Sequence, residues 1–183
     1  MALPVRAEAP LDFEEIWTRA LTVREFLEKA KEPYRSLWEG IYRNARAPEW
    51  SATAVPAGTT LRMIMLAEDW CMDTNNTAPF LARFTEAVPG VSLRFLLRDE
   101  NPEVMDRYLY NGSRSIPVVI ILDEGFRELG HWGPRPAELQ AWVKENKDTA
   151  TTEERLLHTR KWYARDKGET TIREVLQAAV SSS

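Results

Sequence analysis

The 183-residue sequence has a single cysteine, Cys71, so no disulfide can close within the chain. Its two histidines, His131 and His158, stand far apart. With one thiol they offer none of the short ligand spacings of a structural zinc site, and no metal is expected. Lysine and arginine never gather into a run, and the net charge is −4. The basic stripe that nucleic-acid binding draws on is therefore missing. No segment approaches the roughly 18 consecutive apolar residues of a membrane span, and Met1 to Pro10 holds no cleavable apolar stretch. A cytoplasmic location without nucleic-acid or membrane partners is the default expectation. There is no internal repeat or low-complexity tract.

The length suits one domain or one domain with an appendage, and 44% hydrophobic residues can fill a sizeable core. Asp12 with Glu15, and Thr22 with Glu25, have capping-box spacing. Each precedes apolar residues at helical intervals: Phe13, Ile16, Trp17 and Ala20, then Val23, Phe26, Leu27 and Ala30. Pro33 suits a first helical turn, and Tyr34, Leu37, Trp38, Ile41, Tyr42 and Ala45 continue as a third apolar stripe. Residues 47–60, with Pro48, Pro56 and Gly58, read as a connector.

Beyond it, strand and helix patterns alternate. Leu61 to Ala67 reads as a strand, about 74–88 as a helix, Val91 to Leu97 as a strand, and Asn101-Pro102 opens another helix. Such alternation implies parallel crossover units. Val118 to Leu122 then turns through Asp123-Glu124-Gly125 into Phe126 to Trp132, a connection too short for a crossover and so antiparallel. A helix over 136–146 is expected to complete the unit, with two more over 153–164 and 172–180. The expected divisions are a helical extension over 1–59, a central domain over 60–147 and a second helical extension over 148–183.

Cys71 falls where the first strand gives way to a helix, in Trp70-Cys71-Met72-Asp73-Thr74. A helix start carries unpaired N–H groups and about half a positive charge, which bias a sulfur there toward the thiolate. Glu68, Asp69 and Asp73 act in the opposite sense. Arg98 and Arg114 are either the cations that offset these acids or solvated surface charges. Cys71 itself is expected at the helix start and accessible to solvent.

These residues resemble the thioredoxin redox loop W-C-x-x-C, with Thr74 in place of the second cysteine. Pro79 stands eight residues after Cys71, where thioredoxins carry a kinking proline, and Ile116-Pro117 is similar to the cis-proline loop that faces the redox cysteine. Gly133, between the antiparallel strand and the helix expected after it, also fits. The stretches Leu97 to Pro102, Arg114 to Pro117 and Trp132 to Pro136 resemble bacterial thioredoxin-like proteins whose loop reads W-C-G-D-C. The resemblance implies an α/β thioredoxin fold of order β-α-β-α-β-β-α with extra helices at both ends. It also implies Cys71, Thr74 and Pro117 as catalytic positions, and Trp70, Met72, Asp73, Arg114, Ser115 and Ile116 as substrate-binding ones. Thioredoxins commonly place a buried acid six residues before the cysteine; here that residue is Met65.

Thr74 decides the chemistry open to such a site. In a two-cysteine loop the second thiol resolves the mixed disulfide from within, at a high effective concentration. A hydroxyl removes that step, so release falls to glutathione or another low-molecular-weight thiol as co-substrate, with no cofactor bound. Three readings stay open: monothiol exchange or deglutathionylation acting on protein or small-molecule disulfides, a non-catalytic binding module whose Ile116 backbone pairs with a peptide segment, and a redox sensor. A normal or raised Cys71 pKa favours the binding module. The oligomeric state is not legible.

Overall fold

The computed structural model describes residues 9–180. Of the stretch Met1 to Pro10, residues 1–8 lie outside the described residues. Three helices lead: α1 (Phe13–Arg19), α2 (Val23–Lys29) and α3 (Tyr34–Asn44). The Asp12 carboxylate accepts the Glu15 N–H and caps α1, and Thr22 and Glu25 close a reciprocal capping box on α2. Pro33 sits one position ahead of α3, at its N-cap. The connector holds a short 3-10 turn, Glu49–Thr53.

The centre runs β1 (Leu61–Ala67), α4 (Met72–Ala87), β2 (Val91–Leu97), α5 (Pro102–Met105), β3 (Val118–Leu122) and β4 (Glu128–Trp132). Three helices follow: α6 (Ala137–Glu145), α7 (Thr152–Asp166) and α8 (Glu169–Val180). α4 begins two residues earlier than the apolar spacing suggested and passes through Pro79 without ending. The helix opened by Asn101-Pro102 is a single turn. β4 starts at Glu128, not Phe126, because Phe126 has a positive φ of 60° in the turn.

The strands form one sheet in the order β2-β1-β3-β4. β1 runs parallel to β2, with Met65 opposite Phe95, and antiparallel to β3, with Met65 opposite Val119. β1 and β3 are apolar on both faces because both faces are covered, as a central strand requires. One face, carrying Met63, Met65, Phe95, Val119 and Ile121, packs with Phe26, Trp38, Leu81, Phe84 and Ile172 from α2, α3, α4 and α8. The other, carrying Ile64, Leu66, Leu96 and Ile120, packs with Ile16, Ala20, Val104 and Met105 from α1 and α5. The architecture is the thioredoxin-like α/β fold.

The helix that closes the sheet differs from the one expected. The helix lying against β3 and β4 is α8, whose Ile172 and Val175 are buried in the main core. α6 packs on α7 instead, around a small cluster of Leu139, Trp162 and Tyr163 with Val143. Residues 137–166 thus form a helical hairpin inserted between β4 and α8. Local spacing could not separate these roles, since α6 and α8 both carry apolar residues at helical intervals. Gly168 lets α8 turn back onto the core: its φ is +81°, and a Cβ there would come within 2.6 Å of the Phe80 side chain.

Candidate functional site

Cys71 is the N-cap of α4, at the end of the loop leaving β1. Its thiol donates to the Ile116 carbonyl, with sulfur and oxygen 3.5 Å apart. Ile116 immediately precedes Pro117, and the bond between them is cis. The loop before β3 therefore lies against the helix start, and it is held there by Gly133. At φ +134° this glycine passes so near Pro117 that a Cβ would stand 2.2 Å from the Pro117 oxygen. Gly133 is needed both for its backbone conformation and for the missing side chain.

Burial corrects the expectation of an accessible thiol: Cys71 is 8% exposed, packed with Leu66, Ile116 and Val118. Desolvation pushes its pKa above the ordinary thiol value, outweighing hydrogen bonds from the Thr74 backbone and hydroxyl, while the Asp73 charge adds to the rise. Thr74 is fully buried; among the described residues its hydroxyl has no hydrogen-bond partner, and its influence on Cys71 favours the thiolate. Ile116 is buried too, and its carbonyl turns to the thiol, so the expectation of exposed Ile116 backbone is corrected for that carbonyl. Ser115, on the same loop, is half-buried, with its N–H bonded to the Ser113 carbonyl.

The acids around the loop have separate partners. Glu68, nearly buried, accepts the Asp99 N–H, and desolvation raises its pKa. Asp69 accepts the Lys31 N–H at 2.8 Å. Asp73 is buried at 6% exposure, yet it is bound by the Arg135 guanidinium at 2.6 Å and the Tyr163 hydroxyl at 3.0 Å. Its pKa is raised by desolvation, against which Arg135 and Tyr163 both act.

Of the two arginines expected to offset these acids, Arg98 acts by its charge to lower the Glu68 pKa, and neither reaches Asp73. Arg114 makes a two-point pair with Asp106 at 2.6 and 2.7 Å on the surface. Arg98 pairs with Asp99 and lies over the Trp70 ring, 4.9 Å from its centre. Trp70 is half-exposed beside a surface pocket of about 330 Å³, walled by Phe26, Lys29, Lys31, Glu68, Asp69 and Glu100. Met72 meets Arg160 of α7, with guanidinium nitrogen and sulfur 3.4 Å apart.

The structure thus brings Trp70, Cys71, Met72, Asp73, Thr74, Ile116 and Pro117 together and turns Arg114 elsewhere. Three residues went unread in the sequence: Arg135, Tyr163 and Arg160. Arg135 stands in the Trp132 to Pro136 stretch, where a cation between two prolines is a usable signal. Tyr163 is 90 residues from Asp73, and nothing local marks it. Among the described residues no cluster of histidine, cysteine and carboxylate side chains could hold a metal, and no helix is long and apolar enough to cross a membrane.

A four-stranded sheet with a helix-start cysteine set against a cis-proline loop defines a thioredoxin-fold protein. The family model described as Thioredoxin matches residues 20–153, and the chain belongs to that family. No curated protein matches it. Among solved structures it is similar to a protein of unknown function, PA1234, from Pseudomonas aeruginosa, at 16% identity and a TM-score of 0.73 over 92% of this chain and 97% of that one. An HIV epitope-scaffold designated 4E10 is similar by the same measures, 16% identity, a TM-score of 0.73, and 92% and 97% coverage. At that identity the likeness speaks for the fold.

Proposed function

We propose that the protein carries out single-thiol exchange: Cys71 attacks a disulfide, and an external low-molecular-weight thiol completes the turnover. The observation that carries this reading is the placement of Cys71 Sγ, at the start of α4 and 3.5 Å from the Ile116 carbonyl beside Pro117. The Cys71 thiolate bonds one sulfur of the substrate disulfide, and the other leaves as a thiolate that takes up a proton. When the substrate is a glutathionylated protein, the product is Cys71 joined to glutathione and a free protein thiol. A second glutathione thiolate then attacks that bond, returning Cys71 and leaving oxidised glutathione. Thr74 stabilises the departing Cys71 sulfur and cannot resolve the bond itself.

The binding-module reading is favoured by a specific observation, the burial that raises the Cys71 pKa. A protonated thiol is a poor nucleophile, so exchange at neutral pH is slow unless a partner changes the loop. One experiment separates the two. Purified protein is incubated with a glutathionylated peptide, with and without glutathione, and followed by mass spectrometry. Exchange predicts a Cys71–glutathione adduct without glutathione and turnover with it, both abolished by Cys71→Ser. Rates should climb about tenfold per pH unit without levelling below about pH 9. Peptide binding that survives Cys71→Ser, with no adduct at any pH, would replace exchange by recognition.

A further inference from the structure

The Asp73 network is built from three separate parts of the chain. Asp73 lies in the first turn of α4, two residues after Cys71. Arg135 comes from the segment that follows β4, and Tyr163 from α7 in the inserted hairpin. All three converge in a largely buried space: Asp73 is 6% exposed and Tyr163 2%. A carboxylate so enclosed needs a counter-charge and hydrogen bonds to stay ionised, and here both come from outside the loop. The groups facing the sulfur are Asp73 and Thr74 on its own helix and the Ile116 carbonyl from the opposing loop. Arg135 and Tyr163 face Asp73, and Tyr163 in turn feels the Cys71 charge.

We propose that Arg135 and Tyr163 are positioning residues for Cys71, neutralising and fixing the Asp73 carboxylate so that the segment after β4 and the inserted hairpin together set the reactivity of the sulfur. This rests on the reading of Cys71 as the reacting group. Because Asp73 is tied on one side by the guanidinium and on the other by the phenol, its negative field at the sulfur is compensated. Removing the guanidinium takes the positive member out of the pair, and the charge that Asp73 keeps on its Tyr163 hydrogen bond then acts unopposed on a thiol two residues away, against its ionisation. Loss of the phenol weakens the arrangement without removing charge.

The test is the pH profile of Cys71 alkylation by iodoacetamide in the full chain. Arg135→Gln should slow alkylation at pH 8 about tenfold, the equivalent of one pKa unit. Tyr163→Phe should slow it by less, about threefold, and Arg135→Lys should keep the wild-type profile, since its charge remains. Adding Asp73→Asn to Arg135→Gln should restore at least the wild-type rate. Where Arg135→Gln does not fold, Asp73→Asn alone decides, and it should speed alkylation. A merely structural role predicts the reverse for Arg135→Gln, because a loosened loop exposes the thiol and alkylates faster. Faster or unchanged alkylation in Arg135→Gln, or no acceleration in Asp73→Asn, would overturn the proposal. The readout does not depend on exchange: absence of a mixed disulfide in the wild type strikes the functional reading and leaves the alkylation profile to decide this one.

Discussion

The sheet core and the α6–α7 hairpin are stabilised in different ways. The core is a continuous apolar volume in which Met63, Ile64, Met65, Leu66, Phe95 and Ile120 are within 1% of complete burial, with helices on both faces. The hairpin has only Leu139, Trp162 and Tyr163 fully inside its own cluster, and it meets the candidate site mainly through polar groups: Tyr163 and Arg160 against Asp73 and Met72. Non-directional burial specifies the first region, whereas the second depends on particular partners in particular geometry. Substitutions in the core should therefore act on stability, and those at the hairpin contact on chemistry.

The largest effect expected tests where the core ends. Ending the chain after Lys147 removes α8 along with α7, stripping Ile172 and Val175 from the main cluster and uncovering β3 and β4. At about 1.5–3 kcal/mol for each fully buried side chain, that loss is comparable to the whole stability of a domain. The shortened protein should lack cooperative unfolding and near-ultraviolet circular dichroism. A cooperative transition in it would show that α8 is peripheral and that the sheet closes without it.

A smaller effect isolates the joint between the two regions. Gly168→Ala places a methyl group against the Phe80 ring at a positive φ, which should cost about 1–3 kcal/mol in urea unfolding. The rate of Cys71 alkylation should change little, because the strain sits at the α7–α8 turn and away from Asp73. Wild-type stability in this variant would mean that the turn is not held against α4.

The smallest effect lies in the alkaline limb. Cys71 and Tyr163 have pKa values raised by burial, and Tyr108 is raised likewise, with Glu128 adding to the rise. The folded state holds protons that the unfolded chain releases from about pH 9 to 10 upward. Their contribution is complete below that range and is lost as pH rises through it. Stability should thus fall with alkalinity, and Tyr163→Phe should flatten the slope above about pH 10, as unfolding free energies at a series of pH values would show. An unchanged slope would mean that Tyr163 ionises in the folded chain as freely as in the unfolded one.

Much of this was legible because it is local. The caps at Asp12 and Thr22, the limits of β1, β2 and β3, and the antiparallel return through Asp123-Glu124-Gly125 depend on neighbours a few residues apart. The cysteine at a helix start, opposite a proline loop, was read from motif spacing within one fold type. The sequence by itself thus determined the element order, the thioredoxin-like class and the absence of an internal disulfide. The tertiary structure decided that α8 and not α6 closes the sheet, since both helices are amphipathic and only packing chooses between them. It also decided that Cys71 is buried with a raised pKa, because exposure is a property of what covers the sulfur. Finally, it assigned the compensation of Asp73 to Arg135 and Tyr163 instead of Arg98 and Arg114. A charge acts over distance in space, and 90 residues of intervening chain carry no local trace of that pairing.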